Sequence, residues 1–373
     1  MRVSVDAFVA SPGFGGFISY IGGLCSALAA RDDVELDILL PEAQPLPEFA
    51  DLPASARIHR LELPDVAGER PGVTWTDRVL PVALDELAPE VHLGPAFMLP
   101  PGHDRPQAVT VHDDMFERFP QFYGAETRDY LREQTLRALS VADVALAVSE
   151  STRRDAIERW NPEAPIAVTP LAPRLVGEPG SLPPAGAPSS YLLNVGGSHR
   201  RKRLDHLIEA FSSLALEQAI PQEMHLVLVG VRDDERARSL QAASPVRERI
   251  LLTGRIPDAE LPAWYRRCEL FVYPSEYEGF GLGPLEAMSS GAPVLTSRNS
   301  ALAEVLEEAA EYARPGVDGL REGIVSLLGD GPKRERMRAQ GLARAAGFRW
   351  ERTAEATAEG LRTAIDRFAG SPR

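Results

Sequence analysis

Polar and apolar residues alternate at the start of the chain, which is the pattern of a half-buried β-strand. The apolar positions of this stretch are Val3, Val5, Ala7 and Val9. A glycine-containing loop follows at 11–16, and apolar residues then recur at helical spacing from Phe17 to Leu28. The order strand, glycine loop, helix is the opening of a βαβ unit, so we predict a helix to about Arg31.

The same rhythm continues through the first half of the chain. Short apolar runs indicate buried strands at 34–40, 108–113, 144–149 and 166–170. Helical patterns lie between them at 126–140 and at 149–160, and Ser149 is placed to cap the second of these helices. Short apolar strands that alternate with helices predict a parallel sheet covered on both faces.

The second half restarts this pattern after a segment rich in proline and glycine at 170–188. Strands are predicted at 191–197, 224–230, 249–254, 270–275 and 293–297, and helices at 203–216, 320–328 and 350–368. We therefore predict an α/β chain with an N-terminal Rossmann-like domain at 1–172, a proline-rich linker at 173–188, a second Rossmann-like domain at 189–349 and a helical tail at 350–373.

Composition and charge narrow the classes of function. The chain has 373 residues, a formal net charge of -14 and two cysteines. Because nucleic-acid binding needs a basic footprint, we expect no nucleic-acid partner. Cys25 and Cys268 lie in apolar segments, which favours buried thiols in a reducing compartment. We see neither a secretory leader nor a transmembrane segment and expect a cytoplasmic protein; peripheral membrane contact stays open.

The segment 276–294 carries the strongest candidate chemistry. Glu278 and Glu286 are eight positions apart, with three glycines between them, where a strand passes into a helix. Glycines let the backbone approach a ligand, and the N–H groups at a helix start bind phosphate or hydroxyl groups. A carboxylate in such a loop can accept two hydroxyls of a sugar or ribose. A solvated glutamate beside an ordinary helix start is the structural alternative.

Three further features are less specific. The basic run 199–203 follows a predicted strand, where it can neutralise a phosphate or form a solvated charge cluster. His112 follows a buried strand, and Gly15 with Gly16 belongs to the first glycine loop. The acidic pairs 113–114 and 233–234 lack the several convergent ligands of a metal site, so we expect no metal and no cofactor.

The motifs taken together resemble glycosyltransferase family 4, in particular its bacterial mannosyltransferase-like members. The stretch PSEYEGFGLGPLEAM at 274–288 is similar to the family signature of two glutamates separated by seven residues. The resemblance extends to GGFISYIGGL, HDDMFERFPQFY, VADVALAVSESTRRD, NVGGSHRRKRLDHLIEAF, LTGRIPDAELPAWYRRCELFVYPS and FRWERTA. It covers nearly the whole chain. It implies a GT-B fold, in which two doubly wound domains face an interdomain cleft and the last helix crosses back to the first domain.

The resemblance also implies roles for individual residues. His112, Lys202 and Glu278 correspond to catalytic positions, at which His112 and Glu278 contact the transferred sugar and Lys202 neutralises the diphosphate. Further donor-binding positions are Gly15, Gly16, Arg201, Arg255, Ile256, Gly279, Phe280, Gly281, Leu282 and Glu286. Among these, Glu286 corresponds to the ribose ligand, and Arg255 and Ile256 to the loop beside the base.

The activity implied is metal-independent transfer of a hexose, with retained anomeric configuration, from a nucleotide diphosphate sugar to an acceptor hydroxyl. The acceptor class stays open between a saccharide, a lipid-linked sugar and a small molecule. The resemblance favours GDP-mannose as donor, with UDP-sugars and dTDP-deoxysugars as alternatives. Two other classes stay open: a nucleotide-sugar epimerase on the same fold, and a nucleotide-sugar-binding protein that has lost catalysis.

Overall fold

The computed structural model describes residues 1–10, 15–45, 52–53, 55–102, 104–174 and 186–370. These residues form two compact units. Unit 1 comprises Met1–Ala172 with Arg349–Arg373, and unit 2 comprises Pro173–Phe348. Most of the predicted linker, 175–185, lies outside the described residues.

Unit 1 contains a seven-stranded sheet in which neighbouring strands run parallel. Its strands are β1 (Arg2–Asp6), β2 (Glu35–Pro41), β3 (Ala56–Leu61), β4 (Val91–Gly94), β5 (Gln107–Val111), β6 (Val144–Ala147) and β7 (Ile166–Val168). Their order across the sheet is β3-β2-β1-β4-β5-β6-β7. β1 thus pairs with both β2 and β4, and the chain changes direction across the sheet at β1 and β4.

Among the described residues, unit 1 has six α-helices before Ala172. They are α1 (Gly15–Ala29), α2 (Pro71–Thr74), α3 (Leu80–Leu87), α4 (Met115–Arg118), α5 (Ala125–Val141) and α6 (Glu150–Trp160). Ser149 caps α6 as predicted, since its side chain accepts the N–H of Thr152 at 2.9 Å. β1 is shorter than the alternation predicts, because the chain turns at Ala7, whose carbonyl accepts the N–H of Ala10.

Unit 2 repeats the architecture with six strands. They are β8 (Ser190–Val195), β9 (Met224–Val229), β10 (Ile250–Leu252), β11 (Leu270–Tyr273), β12 (Val294–Ser297) and β13 (Glu311–Ala313), in the order β10-β9-β8-β11-β12-β13. The helices are α7 (Leu204–Leu216), α8 (Glu235–Ala243), α9 (Leu261–Arg267), α10 (Leu282–Ser289), α11 (Ser300–Leu306), α12 (Val317–Gly329) and α13 (Gly331–Ala345). A core of apolar side chains, most of them aliphatic, from α7, α12 and the sheet fills this unit.

The last helix, α14 (Trp350–Gly370), belongs to unit 1. It packs on α1 and on the sheet strands β5 and β6, and its buried face carries Ala354, Ala358 and Leu361. Gly23 of α1 lies against the indole of Trp350, and Thr353 donates a hydrogen bond to the carbonyl of Pro170 at 2.6 Å. The predicted α/β class, with two doubly wound parallel sheets, is confirmed.

Candidate functional site

The sheet of unit 2 has its switch point between β8 and β11, which are neighbours in space but not in sequence. The loops 196–203 and 274–281 leave these two strands at the same carboxyl edge. Ligands of doubly wound sheets bind outside this edge, at the switch point. The two loops carry the predicted basic pair and the first predicted glutamate.

Glu278 lies at the centre of a cluster of donors. Its Oε1 accepts hydrogen bonds from Lys202 Nζ at 3.0 Å, from the Tyr273 hydroxyl at 2.8 Å and from the Ser275 hydroxyl at 2.8 Å. The guanidinium of Arg201 also bonds to this oxygen. Glu278 is only 8% exposed, so the cluster is shielded from solvent.

The ionisable side chains of this cluster shift one another's pKa values. Burial raises the pKa of Glu278, but the charges of Arg201 and Lys202 outweigh it and hold the pKa at about 2. Burial and then the charge of Arg201 lower the pKa of Lys202 to about 8, against the opposing effect of Glu278. At neutral pH the cluster therefore contains one carboxylate and two cations, which is an excess of positive charge.

Local structure fixes the two loops against each other. Residues 200–202 form a 3₁₀ turn that His199 caps, and Arg203 takes a left-handed backbone (φ 50°) before α7. The N–H of Glu276 donates to the carbonyl of Arg201 at 2.8 Å, which ties the loop after β11 to the turn. The amide of Asn299 donates to the carbonyl of Ser275 at 2.9 Å and holds the same loop from the other side.

The glycine-rich segment forms the start of α10. Gly281 has φ 101°, and a Cβ there would lie 2.7 Å from Leu302 Cδ2, so both backbone conformation and space require glycine. Gly279 and Phe280 are buried, and the Phe280 ring packs edge-to-face on Phe348 at 5.8 Å. The first N–H groups of α10, from Leu282 onward, have no acceptor within the helix and suit an anionic or hydroxylated ligand.

Glu286 lies one turn further along α10. Burial raises the pKa of its carboxyl to about 7, although the charge and the backbone N–H of Arg174 oppose the shift. The side chain of Arg174 pairs with Asp258, in the loop that contains Arg255 and Ile256. Arg255 is exposed, and its guanidinium lies 3.7 Å from Asp258. The Ile256 side chain is buried, so at this position only the backbone groups can contact a ligand.

His112 belongs to unit 1, in the segment that follows β5. Its Nε2 lies 2.7 Å from the carbonyl of Pro95, which can only accept, so Nε2 carries the proton and Nδ1 is an acceptor. The rings of Phe17 and Tyr20 meet the imidazole edge-on at 4.9 Å and 4.8 Å. Burial lowers the pKa of His112 to about 4, against the effect of the Pro95 hydrogen bond, so the ring is neutral at pH 7.

The first glycine loop lies only partly within the described residues. Residues 11–14 are outside them, and α1 begins at Gly15, followed by the exposed Gly16. Gly15, Gly16 and His112 thus belong to unit 1, and all the other predicted site residues belong to unit 2.

Sequence reasoning missed several residues of the site. Tyr273 and Ser275 both bond to Glu278. Tyr273 is the last residue of β11 and Ser275 follows the strand, five and three residues before Glu278, and these positions were a usable signal. Arg174 lies in the proline-rich segment and gave no such signal.

Among the described residues, no group of three or more His, Cys, Asp or Glu side chains is placed to hold a metal ion. Within the same residues, no helix combines the length and the apolar character needed to cross a membrane.

Comparison with known families gives matches over both units. Residues 14–172 match the model of Glycosyltransferase Family 4, and residues 185–344 match that of Glycosyl transferases group 1. The chain is 34% identical over 284 residues to the O-antigen chain mannosyltransferase B of Escherichia coli, covering 72% of this chain and 73% of that one. It is also 35% identical over 179 residues to the serotype-specific mannosyltransferase WbdA of Escherichia coli, 47% of this chain but only 22% of that longer protein.

Solved structures show the same fold over the whole chain. Sucrose-phosphate synthase from Thermosynechococcus elongatus aligns with a TM-score of 0.77 at 21% identity and covers all of both chains. Anabaena HepE, solved in complex with UDP and glucose, aligns with a TM-score of 0.70 at 16% identity and covers 97% of this chain and 99% of that one.

Proposed function

Because this chain belongs to glycosyltransferase family 4, we propose that it transfers mannose from GDP-mannose to an acceptor hydroxyl with retention of anomeric configuration. The observation that carries the proposal is the convergence of Arg201, Lys202, Tyr273 and Ser275 on Glu278 at the switch point of unit 2. The mannosyltransferase relatives support the choice of sugar, and guanosine as the nucleoside rests on that choice.

The two cations of the cluster fit the leaving group. When the bond between the anomeric carbon and the phosphate oxygen breaks, negative charge develops on the nucleoside diphosphate. The Arg201 guanidinium suits a forked contact with phosphate oxygens, and Lys202 adds a compact charge. Because both side chains are held in place before the reaction, they stabilise this charge without reorganisation, and we propose that no metal ion is needed.

The two glutamates and His112 fit the hydroxyl groups of the donor. We assign Glu278 to the transferred sugar, where a fixed carboxylate also stabilises an oxocarbenium-like transition state. Glu286 is assigned to the two ribose hydroxyls, and the His112 Nδ1 is an acceptor for a sugar hydroxyl. Gly279, Phe280, Gly281 and Leu282 offer backbone N–H groups to the diphosphate.

Retention requires the acceptor to attack from the face that the diphosphate leaves. In this proposal the acceptor oxygen forms the new bond to the anomeric carbon, and its proton passes to the departing phosphate oxygen. No enzymic base is assigned. Unit 1 carries the acceptor-binding residues, and the reaction takes place in the cytoplasm.

Nucleotide binding tests the donor assignment directly. Thermal unfolding is measured with GDP, UDP, dTDP and ADP, each with and without Mg²⁺, on the intact chain. A ligand at about 100 times its dissociation constant adds about 2.7 kcal/mol to the free energy of unfolding. The expected result is a shift with GDP that is independent of Mg²⁺. A shift with another nucleotide would replace the donor, a shift that requires Mg²⁺ would overturn the metal-free step, and no shift with any of the four nucleotides would overturn the donor site.

A further inference from the structure

A cavity lies in unit 2, beside the Glu278 cluster but outside it. Its volume is about 350 Å³, at the low end of the range of about 300–1,000 Å³ for small-molecule sites. The walls come from the segments that follow β11, β12 and β13, from the start of α7 and from the start of α12. The lining side chains that matter here are Arg203, His206, Glu276, Ser297, Arg298 and Arg314.

The charge of this cavity is opposite to that of the whole chain. Three arginines and one glutamate line it, whereas the chain carries a formal net charge of -14. A concave surface with clustered guanidinium groups attracts anions, and the planar guanidinium fork matches the oxygens of a phosphate.

Two of the three arginines pair with solvent-exposed carboxylates. Arg298 lies 3.8 Å from Glu308, which is 89% exposed, and Arg314 pairs with Glu322, which is 61% exposed. Ion pairs at such exposed positions contribute little, so an incoming anion can compete for both guanidinium groups. The guanidinium of Arg298 also lies over the Tyr312 ring, 5.2 Å from its centroid, which orients it without using its N–H groups.

The third arginine is fixed in the wall. Arg203 pairs with Glu276 at 2.5 Å and with Asp205 at 3.2 Å. The first turn of the 13-residue helix α12 adds to the same wall through Gly316 and Leu320. Gly316 provides no side-chain cap, so the backbone N–H groups of this turn and the positive end of the helix dipole favour an anion in the cavity.

We propose that this cavity binds a small phosphorylated molecule, with the phosphate on Arg298 and Arg314 and its polar body against Ser297 and His206. The cavity is distinct from the donor site, because none of Arg201, Lys202, Glu278 and Glu286 lines it. A phosphate ester of a small sugar has the required combination of one strong anion and several hydroxyl groups. This inference does not depend on the sugar donor.

Calorimetric titration with glucose 6-phosphate and with inorganic phosphate tests the proposal. The proteins compared are the wild type, Lys202→Ala, the double variant Arg298→Ala/Arg314→Ala, and Arg247→Ala as a matched control at an exposed arginine outside the cavity. Loss of charge-assisted hydrogen bonds should weaken binding of glucose 6-phosphate about tenfold or more in the double variant. Lys202→Ala and Arg247→Ala should bind it as the wild type does.

Removing negative charge from the cavity, instead of positive charge, should increase the affinity for the phosphate ester. Misfolding cannot produce such an increase. Glu276→Gln removes the one carboxylate of the lining and should strengthen binding severalfold. No binding to the wild type would overturn the proposal, as would binding that is lost in Lys202→Ala but kept in the double variant. Equal affinity for the two probes would overturn the ester and leave inorganic phosphate as the ligand. All these outcomes are read without any transfer assay, so they are independent of the proposed reaction.

Discussion

Glu278 accepts the hydrogen bonds from Arg201, Lys202, Tyr273 and Ser275 that define the proposed donor site. Glu278→Gln removes the negative charge but preserves the shape of the side chain. We expect kcat to fall by about 10²–10³, the usual cost of losing one fixed electrostatic group at a reacting centre. The measurement is the rate of transfer from GDP-mannose, with circular dichroism to compare the folds. Glu248→Gln, at an exposed position of unit 2, is the control; normal turnover in Glu278→Gln would contradict the assignment.

Two titrating groups that we assign to the donor site should give a bell-shaped pH dependence of kcat/KM for the donor. Glu286 has a pKa of about 7, so it is protonated as the pH falls through 7 and can no longer accept both ribose hydroxyls. Lys202 has a pKa of about 8, so it loses its charge as the pH rises through 8. Donor binding and transfer should therefore decline on both sides of pH 7–8, by about tenfold per pH unit on the outer limbs.

Single substitutions separate the two limbs. Glu286→Gln should lower kcat/KM at pH 8 and remove the acid limb, because the amide does not titrate. Lys202→Arg should remove the alkaline limb, because the guanidinium stays charged at all these pH values. A wild-type profile that is flat between pH 6 and pH 9 would contradict both assignments.

His112 should contribute to the pH dependence of stability. Its pKa of about 4 is below its ordinary value of 6.5, so the unfolded chain binds the proton more readily and the native state loses stability as the pH falls from 6.5 to 4. The full shift corresponds to about 3 kcal/mol. Urea unfolding at pH 7 and pH 4.5 should show a smaller pH effect in His112→Gln than in the wild type. An equal pH effect in His112→Gln and in the wild type would contradict this prediction.

At the scale of elements, the start of α10 offers a matched pair of glycines. Gly281→Ala meets a left-handed backbone and a 2.7 Å contact with Leu302 Cδ2, so we expect a loss of about 1–3 kcal/mol in unfolding free energy and weaker nucleotide binding. Gly283 lies inside the helix, and a Cβ there meets only the Tyr273 ring at 3.7 Å. Gly283→Ala should stabilise the protein by up to about 1 kcal/mol.

Urea unfolding and nucleotide titration measure both members of this pair. Equal effects of the two substitutions would show that the conformation of Gly281 is not what fixes the start of α10.

At the scale of the whole molecule, α14 makes unit 1 discontinuous in sequence. Gly360 allows α14 to approach the sheet, since a Cβ there would lie 2.7 Å from Leu146 Cδ2 of β6. Gly360→Val should cost about 1–3 kcal/mol through overpacking. Amide hydrogen exchange should rise in β5 and β6 of unit 1 and stay unchanged in β8 and β11 of unit 2. An equal rise in both sheets would contradict the placement of α14 in unit 1, and Gly329→Ala, with open space at its Cβ, is the control.

The presence of two α/β units, each with a parallel sheet, could be predicted from the sequence, and so could the family. Buried parallel strands are continuous apolar runs, and helices between them keep their own period, so local pattern was enough for both sheets. Three strands were missed. β3 (ARIHRL) is an edge strand with charged side chains, β4 (VHLG) has only four residues and β13 (EYA) only three, so none of them produces a clear apolar run. Their pairing with β2, β1 and β12 comes from the rest of each sheet.

The sequence by itself determined which residue types could form the donor site, because Arg201, Lys202, Glu278 and Glu286 lie in segments whose place at a strand end is a local property. Only the tertiary structure decided which of them meet. The convergence of Tyr273, Ser275 and the basic pair on Glu278 requires β8 and β11 to be neighbours across the switch point. In that arrangement the pKa is about 2 for Glu278 and about 7 for Glu286. Burial raises both pKa values, but the charges of two adjacent cations outweigh it at Glu278, whereas the charge and N–H of Arg174 do not outweigh it at Glu286.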